Sequence, residues 1–220
     1  MIGIIGAMEE EVAALKSEMA DAKVTEFASM TFYKGTLCGK DTVVVRSGIG
    51  KVNAAICAQI LVDKFGVDTL INTGIAGSLD ARIDIGDMVI STDAVHHDMD
   101  ATIFGDAIGQ VPRMDTRTFP ADPHLVELAV KANEKANPQI HTFTGRVASG
   151  DQFISSGEVK ARIVFRLFAQ RWREPESRTR LTLTKFRMSS FEQFLIKLTT
   201  VQRWIIQSLK NRQLPTAWRL

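Results

Sequence analysis

The order of apolar segments constrains the fold most strongly, because short strand-like runs alternate with longer segments of helical spacing. The strand-like runs are Ile2–Ile5, Phe32–Leu37, Thr42–Arg46, Thr69–Thr73, Met88–Ser91 and His141–Ala148. The helical segments are Met8–Met19, Lys51–Phe65, Pro123–Asn137 and Ser155–Val164. Strands separated by helices pair in parallel and need cover on both faces. The sequence therefore predicts an α/β fold of three layers, with a central mixed, mostly parallel sheet.

Glycine-rich turns follow four of these strands, after the runs that begin at Ile2, Thr42, Thr69 and His141. In open α/β sheets, ligands bind at the carboxyl ends of the strands. Four such turns at one edge predict a small-molecule site there, although simple tight turns would give the same pattern. The irregular stretch from Asp98 to Pro120 is long enough to suggest a functional loop.

Charge and composition change abruptly near residue 164. Residues 1–159 carry 13 Lys and Arg against 22 Asp and Glu, whereas residues 160–220 carry 14 against 3. All 15 glycines precede residue 158, and the three tryptophans follow it. We interpret 1–220 as one domain, with an atypical basic tail over 164–220. Within the tail, apolar spacing and a Ser190–Gln193 capping pair predict a helix over Ser190–Lys210.

Two cysteines, Cys38 and Cys57, are too few for a disulfide framework and indicate a reducing, cytoplasmic compartment. No apolar run approaches the 18 residues of a membrane span, so no membrane association is expected. The basic tail lacks an ordered basic face, which argues against nucleic acid.

Five strings carry a specific resemblance. They are Gly3–Val12, Ser47–Ala55, Asn72–Gly77, His97–Gly105 with Gly109–Pro112, and Ser149–Ile154. In order and spacing they resemble the 5'-methylthioadenosine/S-adenosylhomocysteine nucleosidases over residues 1–163. The resemblance implies a nucleoside phosphorylase-like fold, a homodimer, and release of adenine by hydrolysis of the N-ribosidic bond without metal or cofactor.

The resemblance also implies roles for individual residues. Glu11 would activate water, and Met8 would pack on the ribose side. Phe153 would stack on the purine, and the Ile154 backbone would bond to its edge. The pocket would be lined by Ile49, Ile75, Ala76 and Gly77, with Phe104 and Pro112 entering the pocket of a neighbouring subunit. For each apolar residue, simple core packing is the alternative.

The chemistry of N-ribosidic hydrolysis is compatible with Glu11. Positive charge develops on the sugar in the transition state, so a carboxylate stabilises it and can also accept a proton from water. The acidic segment Met8–Glu11 offers no cation to hold phosphate, which favours water as the nucleophile.

Two metal hypotheses are weaker. His96 and His97 are adjacent, so on a strand they point to opposite faces, and no third ligand has suitable spacing. Asp98 and Asp100 are more typical of a solvated loop than of a cation site.

The tail departs from the family pattern. The family's Val-Glu-Met-Glu segment, whose second glutamate binds the ribose hydroxyls, is missing. So is its Arg-Ala-Ile-Ser-Asp segment, whose aspartate protonates the purine. Beyond residue 159 the acids are Glu174, Glu176 and Glu192, and none matches either motif. Without these segments we expect the sheet to lack central strands.

Met188–Leu195 resembles the start of the family's last helix, which suggests a frame disruption with partial restoration, or a sequencing error. An intact divergent gene is the third explanation. Two functional alternatives accordingly stand beside hydrolysis. One is an inactive remnant that lacks the general acid, and the other is an interaction module that uses the basic tail.

Overall fold

The computed structural model describes residues 1–168 and 187–193. The strands in this part of the chain are β1 (Ile2–Gly6), β2 (Ala20–Phe27), β3 (Met30–Leu37), β4 (Lys40–Arg46), β5 (Thr69–Ile75), β6 (Met88–His96), β7 (Thr118–Pro120), β8 (Thr142–Ser149) and β9 (Arg187–Gln193). The helices are α1 (Glu9–Ser17), α2 (Lys51–Phe65), α3 (Pro123–Ala136) and α4 (Gly157–Phe168), with one 3-10 turn at Thr102–Phe104. None of these helices is long and apolar enough to cross a membrane.

The nine described strands form one mixed sheet in the order β2-β3-β4-β1-β5-β9-β6-β7, with β8 pairing to β6. Strand β1 is parallel to both β4 and β5, β5 is parallel to β9, and β6 is parallel to β8. The remaining four pairs are antiparallel. The predicted α/β fold is confirmed, and parallel and antiparallel pairs are equally frequent in the described sheet.

The core has a layer on each face of the central strands. Alternation along β1 sends Ile4 toward α1 and α3 and Ile5 toward α2. On the first face Ile4 packs with Leu15 and Ala129, and on the second Ile5 packs with Leu61. This arrangement gives the three layers that the sequence predicts, with the sheet in the middle.

The prediction of a helix over Ser190–Lys210 is wrong for its first residues, because strand β9 occupies Arg187–Gln193. Strand β9 lies between β5 and β6 and pairs with both. Pairing there satisfies backbone groups that β5 would otherwise leave open at its edge, and such tertiary pairing overrides local helical preference. The expectation that the sheet lacks central strands is corrected at this position. Residues 194–210 lie outside the described residues.

The compositional boundary near residue 164 does not interrupt the fold. Helix α4 continues to Phe168, four residues past the predicted end at Val164. Ile163 and Leu167 are one helical turn apart, and both are buried against Val95 of β6. The first residues beyond the boundary therefore contribute to the core.

Candidate active site

Glu11 is the buried member of the acidic segment that opens α1. Its side chain lies on the same stripe of the helix as Val12 and Leu15, and only 4% of the residue is exposed. One carboxylate oxygen, Oε2, accepts a hydrogen bond from the Met8 backbone N–H at 2.9 Å. The other, Oε1, accepts one from the Ile75 N–H at 3.1 Å. The carboxylate is therefore fixed between the ends of β1 and β5.

Two glycines make room for this carboxylate. A Cβ added at Gly74 would lie 2.8 Å from Glu11 Oε1, and one added at Gly6 would lie 3.0 Å from Glu11 Cβ. Such separations are too short for a carbon side chain. The glycines that end β1 and β5 thus allow the backbone to approach Glu11 closely.

The neighbouring acid has a different environment. Glu9 is half exposed and pairs with Lys16 at 2.8 Å, and Arg46 Nε lies 4.0 Å from Glu9 Oε2. The sequence segment alone offers no cation, but the fold brings Arg46 of β4 to its rim. Glu9 therefore faces two cations, Lys16 and Arg46, while Glu11 is held by backbone donors alone in the contacts described.

The segments that follow β1 and β4 meet at this same edge. Ser47 donates its backbone N–H to the Gly6 carbonyl at 2.9 Å, which joins the two strand ends. The close approach of Gly74 to Glu11 adds the end of β5. Gly50 lies close to Asp151, where an added Cβ would be 3.5 Å from Oδ1. The predicted convergence of the four glycine turns is confirmed.

A polar cluster joins the segments after β4, β6 and β8. Lys51 Nζ donates to Asp98 Oδ1 at 2.7 Å, and the Lys51 backbone N–H donates to Asp151 Oδ1 at 2.7 Å. The Asp151 backbone N–H in turn donates to Asp98 Oδ2 at 2.9 Å. Burial disfavours the ionised form of Asp98, but these hydrogen bonds outweigh it and hold its pKa below the usual value. Asp98 is thus tied to its neighbours, which corrects the interpretation of a solvated loop residue.

The residues that the resemblance places around the purine and in the pocket differ in exposure. Phe153 is 96% exposed, and Ile49 is 75% exposed. Ile154 is half-buried and packs against the cluster that contains Val95. Of the β5 turn, Ile75 and Gly77 are exposed and Ala76 is half-buried. Ile49, Ile75 and Phe153 are therefore surface groups, and core packing does not account for them.

The long loop presents its predicted residues to the outside. Phe104 is 83% exposed, within the 3-10 turn, and Pro112 is also exposed. No contact in the described residues joins either one to Glu11. Their role in a neighbouring subunit stays a prediction.

Two further groups of reactive side chains are the histidines His96 and His97 and the buried Cys57. Among residues 1–168 and 187–193, no three or more His, Cys, Asp or Glu side chains group as metal ligands do. Burial lowers the pKa of His96, and nearby Lys51 adds to the lowering, which favours a neutral ring. Burial also raises the pKa of Cys57 to about 12, so this core thiol stays protonated and is no nucleophile.

Of the three acids beyond residue 159, Glu192 is the one within the described residues. Glu192 lies in β9, where its backbone pairs with Gly74 of β5 and Val89 of β6. Its register position is therefore beside the glycine that contacts Glu11. Glu174 and Glu176 lie outside the described residues.

Comparisons with known proteins identify the family to which this fold belongs. Residues 1–173 match the family model of the phosphorylase superfamily. The 5'-methylthioadenosine/S-adenosylhomocysteine nucleosidase of Colwellia psychrerythraea is 47% identical over 169 residues, which is 74% of this chain and 69% of the relative. The nucleosidase of the same name from Staphylococcus saprophyticus is 46% identical over 164 residues, covering 74% and 70%.

A solved structure extends the comparison to the fold. The nucleosidase of Colwellia psychrerythraea in complex with adenine superposes with a TM-score of 0.82 at 34% identity. The match covers 97% of this chain and 95% of that chain. The class is thus the phosphorylase superfamily. Within it, the chain belongs to the 5'-methylthioadenosine/S-adenosylhomocysteine nucleosidase family.

Proposed function

We propose that the chain hydrolyses the N-ribosidic bond of 5'-methylthioadenosine and S-adenosylhomocysteine, releasing adenine. The observation that carries the proposal is the Glu11 carboxylate, buried at the meeting point of three strand ends and anchored through both oxygens. Relatives at 46–47% identity bear the name of that activity.

Glu11 would act as the general base. Each oxygen accepts one backbone hydrogen bond, and a carboxylate oxygen has a second lone-pair direction for a water molecule. Anchoring keeps this acceptor in one place, so little reorganisation is needed as the water loses its proton. The same negative charge would stabilise the positive charge that develops on the sugar.

The exposed side chains would bind the nucleoside. Phe153 offers an aromatic face for the purine, and Met8, Ile49, Ile75, Ala76 and Gly77 would surround the sugar and its substituent. Stacking a base on an exposed aromatic ring contributes about 1–3 kcal/mol. Adenine affinity would therefore depend on groups other than Glu11.

A second copy of the chain would complete the pocket. Ile103 and Phe104 are 87% and 83% exposed, a degree of exposure that is costly for adjacent large apolar side chains. In a homodimer, Phe104 and Pro112 would cover the alkylthio group of the neighbouring subunit's substrate. We propose a cytoplasmic enzyme, consistent with its two free cysteines.

Adenine release from 5'-methylthioadenosine by the purified chain tests the proposal. A folded protein that releases adenine at a rate proportional to its own concentration would support it. A folded protein that releases none would contradict it. Adenine affinity, measured by calorimetry on the same preparation, separates lost chemistry from a lost pocket.

A second candidate is a nucleoside-binding protein without turnover. One feature of the sequence favours binding without turnover: residues 152–220 contain no aspartate, so the family's general acid is missing. Loss of a general acid costs about 10²–10⁴-fold in rate. Adenine binding without adenine release would identify this second function. If the chain does turn over, Glu192 is the first residue to replace in search of a substitute acid, since its register position in β9 is beside Gly74, which approaches Glu11 closely.

A further inference from the structure

In the segment Gln152–Ile154, Ile154 packs against the cluster that contains Val95, but Phe153 has little packing of its own. Phe153 is 96% exposed, and the residues on either side, Gln152 and Ile154, are exposed and half-buried. A side chain with almost no contacts takes its position from its backbone. The contacts that fix this backbone therefore decide where Phe153 stands.

The polar contacts that fix this backbone come from the cluster of Lys51, Asp98 and Asp151. The three residues form a closed ring of hydrogen bonds, with separations of 2.7, 2.7 and 2.9 Å. Each residue comes from the segment after a different strand. The ring is two residues from Phe153, so it anchors the base-binding segment at its near end.

The ring of hydrogen bonds also caps the first turn of helix α2. Gly50, the N-cap residue of α2, provides no side-chain cap, and the Asp151 carboxylate accepts the Lys51 N–H in its place. The first turn of a helix favours a negative charge. The 15-residue helix α2 thus serves as a rigid support for the segment that follows β8.

The pairing of β6 with β8 leads directly into the ring. His97 donates its N–H to the Ser149 carbonyl at 2.9 Å, and Gly150 lies so close to the His97 ring that an added Cβ would be 2.2 Å from Nε2. The next link is Asp151 to Asp98. The backbone pairing of β6 with β8 ends here, and the next hydrogen bond between the two segments is accepted by the Asp98 side chain.

We propose that Lys51, Asp98 and Asp151 are positioning residues that hold the Phe153 segment for the purine. The proposal rests on the proposed function, since it takes Phe153 as the base-stacking residue. The ring acts on ground-state binding of the base and leaves the Glu11 carboxylate in place, because none of its contacts involves Glu11.

Asp98→Ala is the direct test, since it removes two of the three hydrogen bonds. Amide hydrogen exchange over residues 151–155 should become about tenfold faster, and KM for 5'-methylthioadenosine should rise about tenfold with kcat within about threefold. Asp98→Asn retains one acceptor oxygen and should recover part of both effects. If Asp98→Ala does not fold, Asp98→Asn and Lys51→Met carry the same comparison.

Asp122→Ala is a matched control. Asp122 accepts the backbone N–H groups of His124 and Leu125 at the start of α3, so its loss also removes two hydrogen bonds to a carboxylate. It should lower stability without changing exchange over 151–155 or KM. Equal effects of Asp122→Ala and Asp98→Ala, or unchanged exchange in Asp98→Ala, would overturn the proposal. So would faster exchange with an unchanged KM.

The test of these positioning residues gives a result even if the proposed hydrolysis is rejected. If the wild-type chain releases no adenine, KM is replaced by the calorimetric Kd for adenine, and the exchange comparison is unaffected. Wild-type inactivity with faster exchange in Asp98→Ala would reject hydrolysis and retain the anchoring ring.

Discussion

The two ends of the site are built differently. At the reacting end, Glu11 is 4% exposed and its oxygens bond to the backbone of two segments that adjoin β1 and β5. At the base end, Phe153 is 96% exposed, and residues from the start of α2 and from two loops fix the chain beside it. The sheet therefore positions Glu11 directly, whereas the start of α2 and two loops position Phe153 through the ring of hydrogen bonds.

This difference separates chemistry from binding. Displacing the anchored carboxylate requires a change in the sheet itself, so changes there should alter kcat. Replacing the exposed Phe153 side chain, or the Lys51, Asp98 and Asp151 residues that hold its segment, changes how the base is bound and should alter KM or Kd. The following predictions test that separation, beginning with the largest effect.

Glu11→Gln should lower kcat by about 10²–10⁴-fold, because an amide cannot accept the proton of water. Glu10→Gln is the control, since Glu10 lies beside it on the exposed side of the helix. Steady-state adenine release measures both. Comparable losses in the two variants would mean that the acidic segment acts only through its total charge.

Gly74→Ala should reduce kcat by about 10–100-fold, because its methyl group would lie 2.8 Å from Glu11 Oε1 and displace the carboxylate. Gly145→Ala is the matched control, since a Cβ there meets nothing within 4 Å. Adenine release and thermal unfolding are measured together. Wild-type turnover in Gly74→Ala would show that the position of the carboxylate is not critical.

Phe153→Ala should weaken adenine binding about tenfold, since stacking on the base is lost, and should leave stability unchanged. Phe165→Ala provides the comparison, because Phe165 is also exposed, at 71%, but lies on α4. Calorimetry gives Kd for each variant. A kcat loss in Phe153→Ala without a change in Kd would break the separation of the two ends.

Glu9→Gln should have the smallest effect. Glu9 pairs with Lys16 at 2.8 Å, but its side chain is 49% exposed, so the free energy of unfolding should change by less than about 1 kcal/mol. Urea denaturation measures the change, and adenine release should equal that of the wild type. A large loss of activity would place Glu9 in the chemistry beside Glu11.

The sequence predicts most of the central sheet because its strands are buried. Alternating or continuous apolar residues identify β1, β4 and β5, and helical spacing identifies α1 and α2. Strand β2 has no such signal, since its residues are exposed along nearly the whole of Ala20–Phe27. Strand β9 is set by pairing with β5 and β6, which no local pattern contains.

The site shows the same limit. Glu11 could be selected through its family motif, but its place in the first turn of a helix is equally typical of a surface acid. Lys51, Asp98 and Asp151 each lie inside a recognised string, but their contacts span 47 to 100 residues of sequence. Contacts between residues so far apart in sequence cannot be predicted from their spacing along the chain. Arg46 near Glu9 was missed for the same reason.

The most direct test of hydrolysis by activated water is the effect of phosphate on the products formed from 5'-methylthioadenosine. Hydrolysis by activated water predicts equal rates of adenine release with and without phosphate, and a free thioribosyl sugar as the second product. Phosphate-dependent release with a sugar 1-phosphate as product would contradict it and would make Arg46 the first cation to replace.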